Sequence, residues 1–177
     1  PNTCWIGLDY NLDALNIASR RLTSVQWADF NDLDSSALAT IQPKPHYIVM
    51  IDVLEHVYEP TKLIQNLRDL YPNASFICVL PNIGCYQTFD KLAMQDFAYE
   101  DYGIFDKTHK TFYTPSSAIG FFSGMGYTAK IGPLFLLDPQ IGSILASDIS
   151  YPYSLNRNKY IIRVDSYPEL LSLCSYG

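Results

Sequence analysis

Three apolar runs in the first third of the chain each end in an aspartate, and this recurrence restricts the possible folds more than any other feature. Cys4-Trp5-Ile6-Gly7-Leu8 closes on Asp9, residues 25–30 carry Asp29 near their end, and His46-Tyr47-Ile48-Val49-Met50-Ile51 closes on Asp52. Short apolar runs bounded by polar residues predict strands, and the near-continuous apolarity of the third suits a strand covered on both faces. Helical patterns lie between them. Leu12, Leu15, Ala18 and Leu22 fall at helical spacing behind Asn11 as a cap, and residues 33–41 allow a helical turn or two before the breaker Pro43-Lys44-Pro45. Pro60 then suits a first helical turn, followed by Leu63, Ile64, Leu67 and Leu70 on one face up to Tyr71-Pro72-Asn73. A fourth strand is predicted over 75–80, a helix over 116–125, and further strands over 127–131 and 159–164. Strands alternating with helices predict an α/β fold: an open, mostly parallel, doubly wound sheet that binds its ligands at the carboxyl ends of the strands.

A chain of 177 residues, 48% of them hydrophobic, suits one domain, expected over 1–165 with a short tail over 166–177. Residues 134–158 read as a long connection, and one helical turn is expected near Glu169-Leu170-Leu171. The formal charge of −6, with twelve basic residues scattered along the chain, lacks the positive footprint that phosphates require, so no nucleic-acid partner is expected. Neither a membrane-length apolar run nor a leader pattern occurs, which predicts a cytoplasmic protein with no membrane partner. Cys4, Cys78, Cys85 and Cys174 form no CxxC pair and have no nearby histidine at ligand spacing, so buried free thiols are expected and no metal site.

A strand-end acid can simply cap the helix that follows it. In a doubly wound sheet it can also accept both hydroxyls of a ribose. Further residues favour the second role. Trp5-Ile6-Gly7-Leu8-Asp9-Tyr10-Asn11, Ala28-Asp29-Phe30 and Ile51-Asp52-Val53-Leu54-Glu55-His56-Val57 are followed by Leu80-Pro81-Asn82, Tyr102-Gly103-Ile104-Phe105-Asp106-Lys107-Thr108-His109 and Phe112-Tyr113-Thr114. In this order they resemble the class I S-adenosylmethionine-dependent methyltransferases, from about residue 5 to 131, in the branch that includes ubiquinone-type and methionine-biosynthesis-type enzymes. The resemblance implies a Rossmann-like transferase that moves a methyl group from S-adenosyl-L-methionine to a small-molecule acceptor and leaves S-adenosyl-L-homocysteine. It implies that Asp9 holds the ribose, that Asp29 and the backbone amide of Phe30 meet the adenine, and that Tyr10, Asp52, Val53 and Leu54 also bind the cofactor. The glycine-rich turn expected one strand and helix before the ribose acid is not in the sequence; an amino-terminal strand and helix are expected to precede Pro1 in the protein, and genuine loss of the binding loop is the alternative. A nicotinamide dehydrogenase would use Asp9 equally well, and a catalytically silent methyltransferase-like interaction domain is the reading from another class. The acceptor's identity and the oligomeric state are not legible here.

Methyl transfer is an in-line displacement, so a protein chiefly orients the nucleophile and, for a hydroxyl or ammonium acceptor, removes a proton. His46 beside Pro45 reads as a loop residue. His56 follows the third strand, and His109 lies in an aromatic-rich insert, residues 83–114, which directly follows the fourth-strand end and is expected to cover the pocket. His56, His109 and the phenols of Tyr99 and Tyr102 are the candidates for orienting or deprotonating an acceptor; packing is the alternative for each.

Overall fold

The computed structural model describes residues 3–32, 36–132 and 159–166. The predicted connection over 134–158, the tail helix, Cys174 and Leu33 lie outside the described residues. Strand β1 (Ile6–Asp9) leads through helix α1 (Leu12–Ala18) to β2 (Ser24–Trp27), and a single turn, α2 (Ser36–Ala39), precedes β3 (Tyr47–Ile51). A 3-10 turn over Leu54–His56, α3 (Pro60–Leu70) and β4 (Ser75–Pro81) follow. Helices α4 (Tyr86–Ala93) and α5 (Pro115–Gly124) then lead to β5 (Tyr127–Ile131) and β6 (Lys159–Ser166).

β1 pairs in parallel with β2, and a second sheet has the order β3-β4-β6-β5. In that sheet β3 and β4 are parallel, while β6 runs antiparallel to both β4 and β5. Hence β3, β4 and β5 point one way and β6 alone is reversed, as a mostly parallel sheet requires.

Burial follows strand position. β4 has a neighbour on each side and is buried from Phe76 to Pro81. β3 pairs only with β4 among the described residues; Met50 is buried, Tyr47, Ile48 and Val49 are half-buried and Ile51 is exposed, so the coverage of both faces expected from its apolarity belongs to β4 instead. One continuous core joins Leu54, Leu63, Ile64 and Leu67 to Phe76, Ala118, Phe122 and Ile162. In α3, Leu63, Ile64 and Leu67 are buried and Leu70 packs from the side, which is the predicted face.

Asn11 caps α1 as expected, its side-chain oxygen accepting from the Asp13 and Ala14 amides. The helix nevertheless packs through Leu15; Leu12, at the first helical position, is 68% exposed. Cys4 is exposed rather than buried, whereas Cys78 and Cys85 are buried free thiols. Helix α5 starts at a reciprocal cap, in which Thr114 Oγ1 accepts from the Ser117 amide (3.1 Å) and Ser117 Oγ accepts from the Thr114 amide (2.9 Å). Thr114→Ala is expected to destabilise the protein by about 1 kcal/mol in urea denaturation; no loss would mean that water replaces the cap.

Candidate active site

β1 and β2 share a carboxyl edge, and Asn31 beyond β2 joins that edge to the turn after β3. β1 and β2 are parallel, so Asp9, at the end of β1, and Asp29, two residues beyond β2, lie at the same end. Each carboxylate folds its own loop: Asp9 accepts from the Asn11 amide (2.8 Å) and Asp29 from the Asn31 amide (2.9 Å). Asn31 then ties this edge to the end of β3. Its side-chain oxygen accepts from the Tyr58 amide (2.8 Å), and its amide nitrogen donates to the His56 carbonyl (3.5 Å). Asp52 follows β3 with φ 51°, in the left-handed region that aspartate tolerates better than most residues. The resulting sharp reversal opens the 3-10 turn carrying Glu55 and His56.

The Glu55 carbonyl accepts from the amides of Lys110 (2.6 Å) and Thr111 (3.2 Å), which fixes the insert's last loop over the turn. His56 and His109 are thereby placed edge to face, with ring centroids 4.8 Å apart. One nitrogen of each ring and a carboxylate oxygen of Glu55 lie within 4.8 Å of one another. Glu55 is 1% exposed and His109 9%.

Hydrogen bonds set both tautomers. His109 Nδ1 is 3.0 Å from the Ile104 carbonyl oxygen, which can only accept, so Nδ1 carries the proton and Nε2 the lone pair. Thr108 Oγ1 donates its single hydrogen to Asp106 (2.6 Å) and therefore accepts from His56 Nδ1 (3.0 Å), so Nε2 is the His56 ring nitrogen left outside this chain. The hydroxyl and amide of Thr108 hold the Asp106 carboxyl below the ordinary carboxylate value and keep this chain ionised at its end. Burial, with the neighbouring His56 also contributing, lowers the His109 pKa against an opposing effect of the Ile104 carbonyl, so its imidazole is neutral near pH 7.

A cavity of about 570 Å³ opens on this cluster, and its wall includes Asp52, Glu55, His56 and His109 with Lys91, Tyr102 and Phe105. Much of the wall comes from the insert. Within it the aromatic residues divide: Phe105 and Tyr113 are buried, together with Ile104, whereas Tyr86, Phe89, Tyr99 and Tyr102 are exposed. Lys91 pairs with Glu100 at 2.7 Å and lies over the Phe105 ring.

Of the residues singled out in the sequence, the structure brings together Asp52, His56 and His109, with Tyr102 at the cavity mouth, 81% exposed. Asp9 and Asp29 lie on the same edge. Tyr10 is exposed and accepts from the Trp27 indole through its carbonyl, and Phe30 and Val53 pack against the core. Leu54 is wholly buried in that core, which leaves only its backbone to meet a ligand. Tyr99 stacks on Phe112 and does not line the cavity. Sequence reasoning did not select Glu55, Asp106 or Thr108. The signal for Glu55 was present, since an acid beside a histidine in a turn at a strand end puts two ligating groups in one place.

No family profile and no curated protein sequence matches the chain at a significant level. Solved structures do match. The plantazolicin methyltransferase BpumL, solved with a substrate analogue and S-adenosylhomocysteine, superposes with a TM-score of 0.58 at 13% identity, over 93% of this chain and 67% of its own. A possible histamine N-methyltransferase from Thermotoga maritima, a SAM-dependent methyltransferase, gives 0.56 at 12% identity, over 90% and 72%. The fold is that of the class I methyltransferases. The small RNA methyltransferase HEN1 shares it with a TM-score of 0.54 and 14% identity over 92% of this chain, which spans 20% of HEN1. That match corrects the exclusion of nucleic acid drawn from net charge. A charge of −6 averages over the whole surface and does not describe the one face that meets an acceptor. Among the described residues no helix is long and apolar enough to cross a membrane.

Proposed function

We propose that the protein transfers a methyl group from S-adenosylmethionine to a hydroxyl or amine seated in the cavity. The observation that carries this reading is that Asp9 and Asp29 share one strand edge, which Asn31 ties to the turn after Asp52 that carries His56. The donor set fits the cofactor. Asp9 and Asp29 each spend one bond on their own loop, and a carboxylate accepts about four, so capacity remains for ribose hydroxyls and the adenine amino group. S-adenosylmethionine supplies an electrophilic methyl group on a sulfonium. The protein's part is to position the acceptor, exclude water and draw a proton away. His56 and His109, each with Nδ1 committed, present Nε2 lone pairs to the acceptor's O–H or N–H, and the cover of Ile104 and Phe105 keeps that contact dry. The cavity's size suits one compact group, a small molecule or the end group of a longer one. The Leu54-Glu55-His56 turn supports the branch to which the sequence is similar.

Asp9→Ala in the full-length protein is expected to weaken S-adenosylmethionine binding by about 1.5–3 kcal/mol, the cost of losing hydrogen bonds to a charged group. Titration calorimetry reads this directly. Unchanged affinity would take Asp9 out of the site, and a wild-type protein that binds no S-adenosylmethionine would remove the function.

A further inference from the structure

We propose that Glu55, His56 and His109 bind a divalent transition-metal cation, through a carboxylate oxygen of Glu55 and the Nε2 atoms of both imidazoles. We propose further that an open position on the cation receives the acceptor's hydroxyl, which rests on the methyl-transfer reading above. The expectation of no metal site considered only the cysteines and missed this group.

Three features support the site. The three side chains converge, with a ligating atom of each within 4.8 Å of the others, at the wall of a cavity large enough to admit a ligand. Both imidazoles are prepared as ligands. A metal-bound histidine donates its second ring N–H to a carbonyl or a carboxylate, which fixes the tautomer and orients the ring. Here the Ile104 carbonyl serves His109, and Asp106 serves His56 through the Thr108 hydroxyl. Thirdly, the wall is rich in acids: Asp52, Glu55, Asp90, Glu100 and Asp106 face Lys91, which is itself paired with Glu100. The Glu55 carboxylate and a nitrogen of each imidazole are close enough together to hold one cation between them.

The donor set selects the ion. Two imidazoles and one carboxylate suit manganese, cobalt or zinc, whereas calcium and magnesium prefer all-oxygen shells. Three protein ligands leave positions open, as in catalytic rather than structural sites. With a cation bound, both Nε2 lone pairs are ligands and no longer accept the acceptor's proton; the cation takes over that task by acidifying a hydroxyl held there. Its proton leaves to water at the cavity mouth as the oxygen–methyl bond forms and the carbon–sulfur bond breaks, with the electron pair remaining on sulfur. The acceptor class is therefore a hydroxyl rather than an amine.

The test is titration of chelator-treated, full-length protein with Co²⁺, followed by visible absorption and calorimetry without S-adenosylmethionine. One equivalent is expected to bind, undisplaced by a large excess of Ca²⁺. Glu55→Gln and His109→Gln should weaken binding at least about 100-fold. Thr108→Val, at an exposed position that a folded chain tolerates, should weaken it about 10–100-fold, as for other groups that orient a metal ligand. S-adenosylmethionine affinity, measured separately, should stay constant in all three. Wild-type Co²⁺ binding no tighter than that of Thr108→Val and His109→Gln would overturn the proposal, as would full displacement by Ca²⁺. Co²⁺ binding without any S-adenosylmethionine binding would keep the metal site and discard its link to methyl transfer; the reverse would discard the metal and keep the function.

Discussion

His109→Gln is expected to lower methyl-transfer turnover by about 10²–10⁴-fold, roughly 2.7–5.5 kcal/mol of transition-state stabilisation, with S-adenosylmethionine affinity unchanged. The separation of the two effects follows from position. His109 lies on the insert, at the cavity wall and 9% exposed, while Asp9 and Asp29 lie at the ends of β1 and β2. A glutamine keeps a similar length and a hydrogen-bonding end but offers no imidazole nitrogen to a proton or a cation. His56→Gln should act alike, because the two rings are 4.8 Å apart and face one another. The double variant should fall little further than either single one, as groups that act as a unit do. The measurement is release of S-adenosylhomocysteine with an acceptor on which the wild type is active, paired with a cofactor titration. Near-normal turnover in both single variants would return the histidines to packing roles. A parallel loss of cofactor affinity would move the cluster to the cofactor's side of the site.

The division of labour between sequence and contact is visible in particular residues. Periodicity located α3, β4, β5 and the Asn11 cap, because each depends on spacing along a single segment. The shared edge of Asp9 and Asp29 was also legible, since parallel strands place their carboxyl ends together, whereas Asp52 follows a strand of the other sheet. What spacing cannot carry is contact between distant segments. Glu55 meets residues 110 and 111 through its backbone carbonyl, and Thr108 reaches His56 across 52 positions of sequence. Neither bond leaves a periodic trace. Leu54 shows what a resemblance leaves open: an apolar residue in a turn beneath a sheet edge is drawn into the core, and with its side chain wholly buried only its backbone is left for a ligand. Tyr99 was chosen for its phenol, but its ring found Phe97 and Phe112 as partners. Net charge misled in a similar way, because a sum over 177 residues cannot report on one cavity.

Phe122→Ala is expected to destabilise the protein by about 3–5 kcal/mol, the cost of emptying a large aromatic site in a packed interior. Phe122 is fully buried on α5, packed edge to face against Phe121 at 5.0 Å and Tyr127 at 6.5 Å. Tyr127 in turn meets Phe76 of β4 at 5.7 Å, so the substitution opens the junction of α5, β5 and the central strand. A domain of this size has about 5–15 kcal/mol of stability in total, and the variant should lose a large share of it. The loss should be global. The residues around Phe122 belong to the same core cluster as Leu54 and Val57, which flank the turn carrying Glu55 and His56. Unfolding in urea followed by tryptophan fluorescence and by far-ultraviolet circular dichroism should therefore give one shared, lowered midpoint. Loss of under about 1 kcal/mol would show that α5 closes over the cavity left behind. Two separate midpoints would show that the β1–β2 sheet, which holds Trp27 and follows directly on Trp5, unfolds apart from the core that supports the histidine cluster.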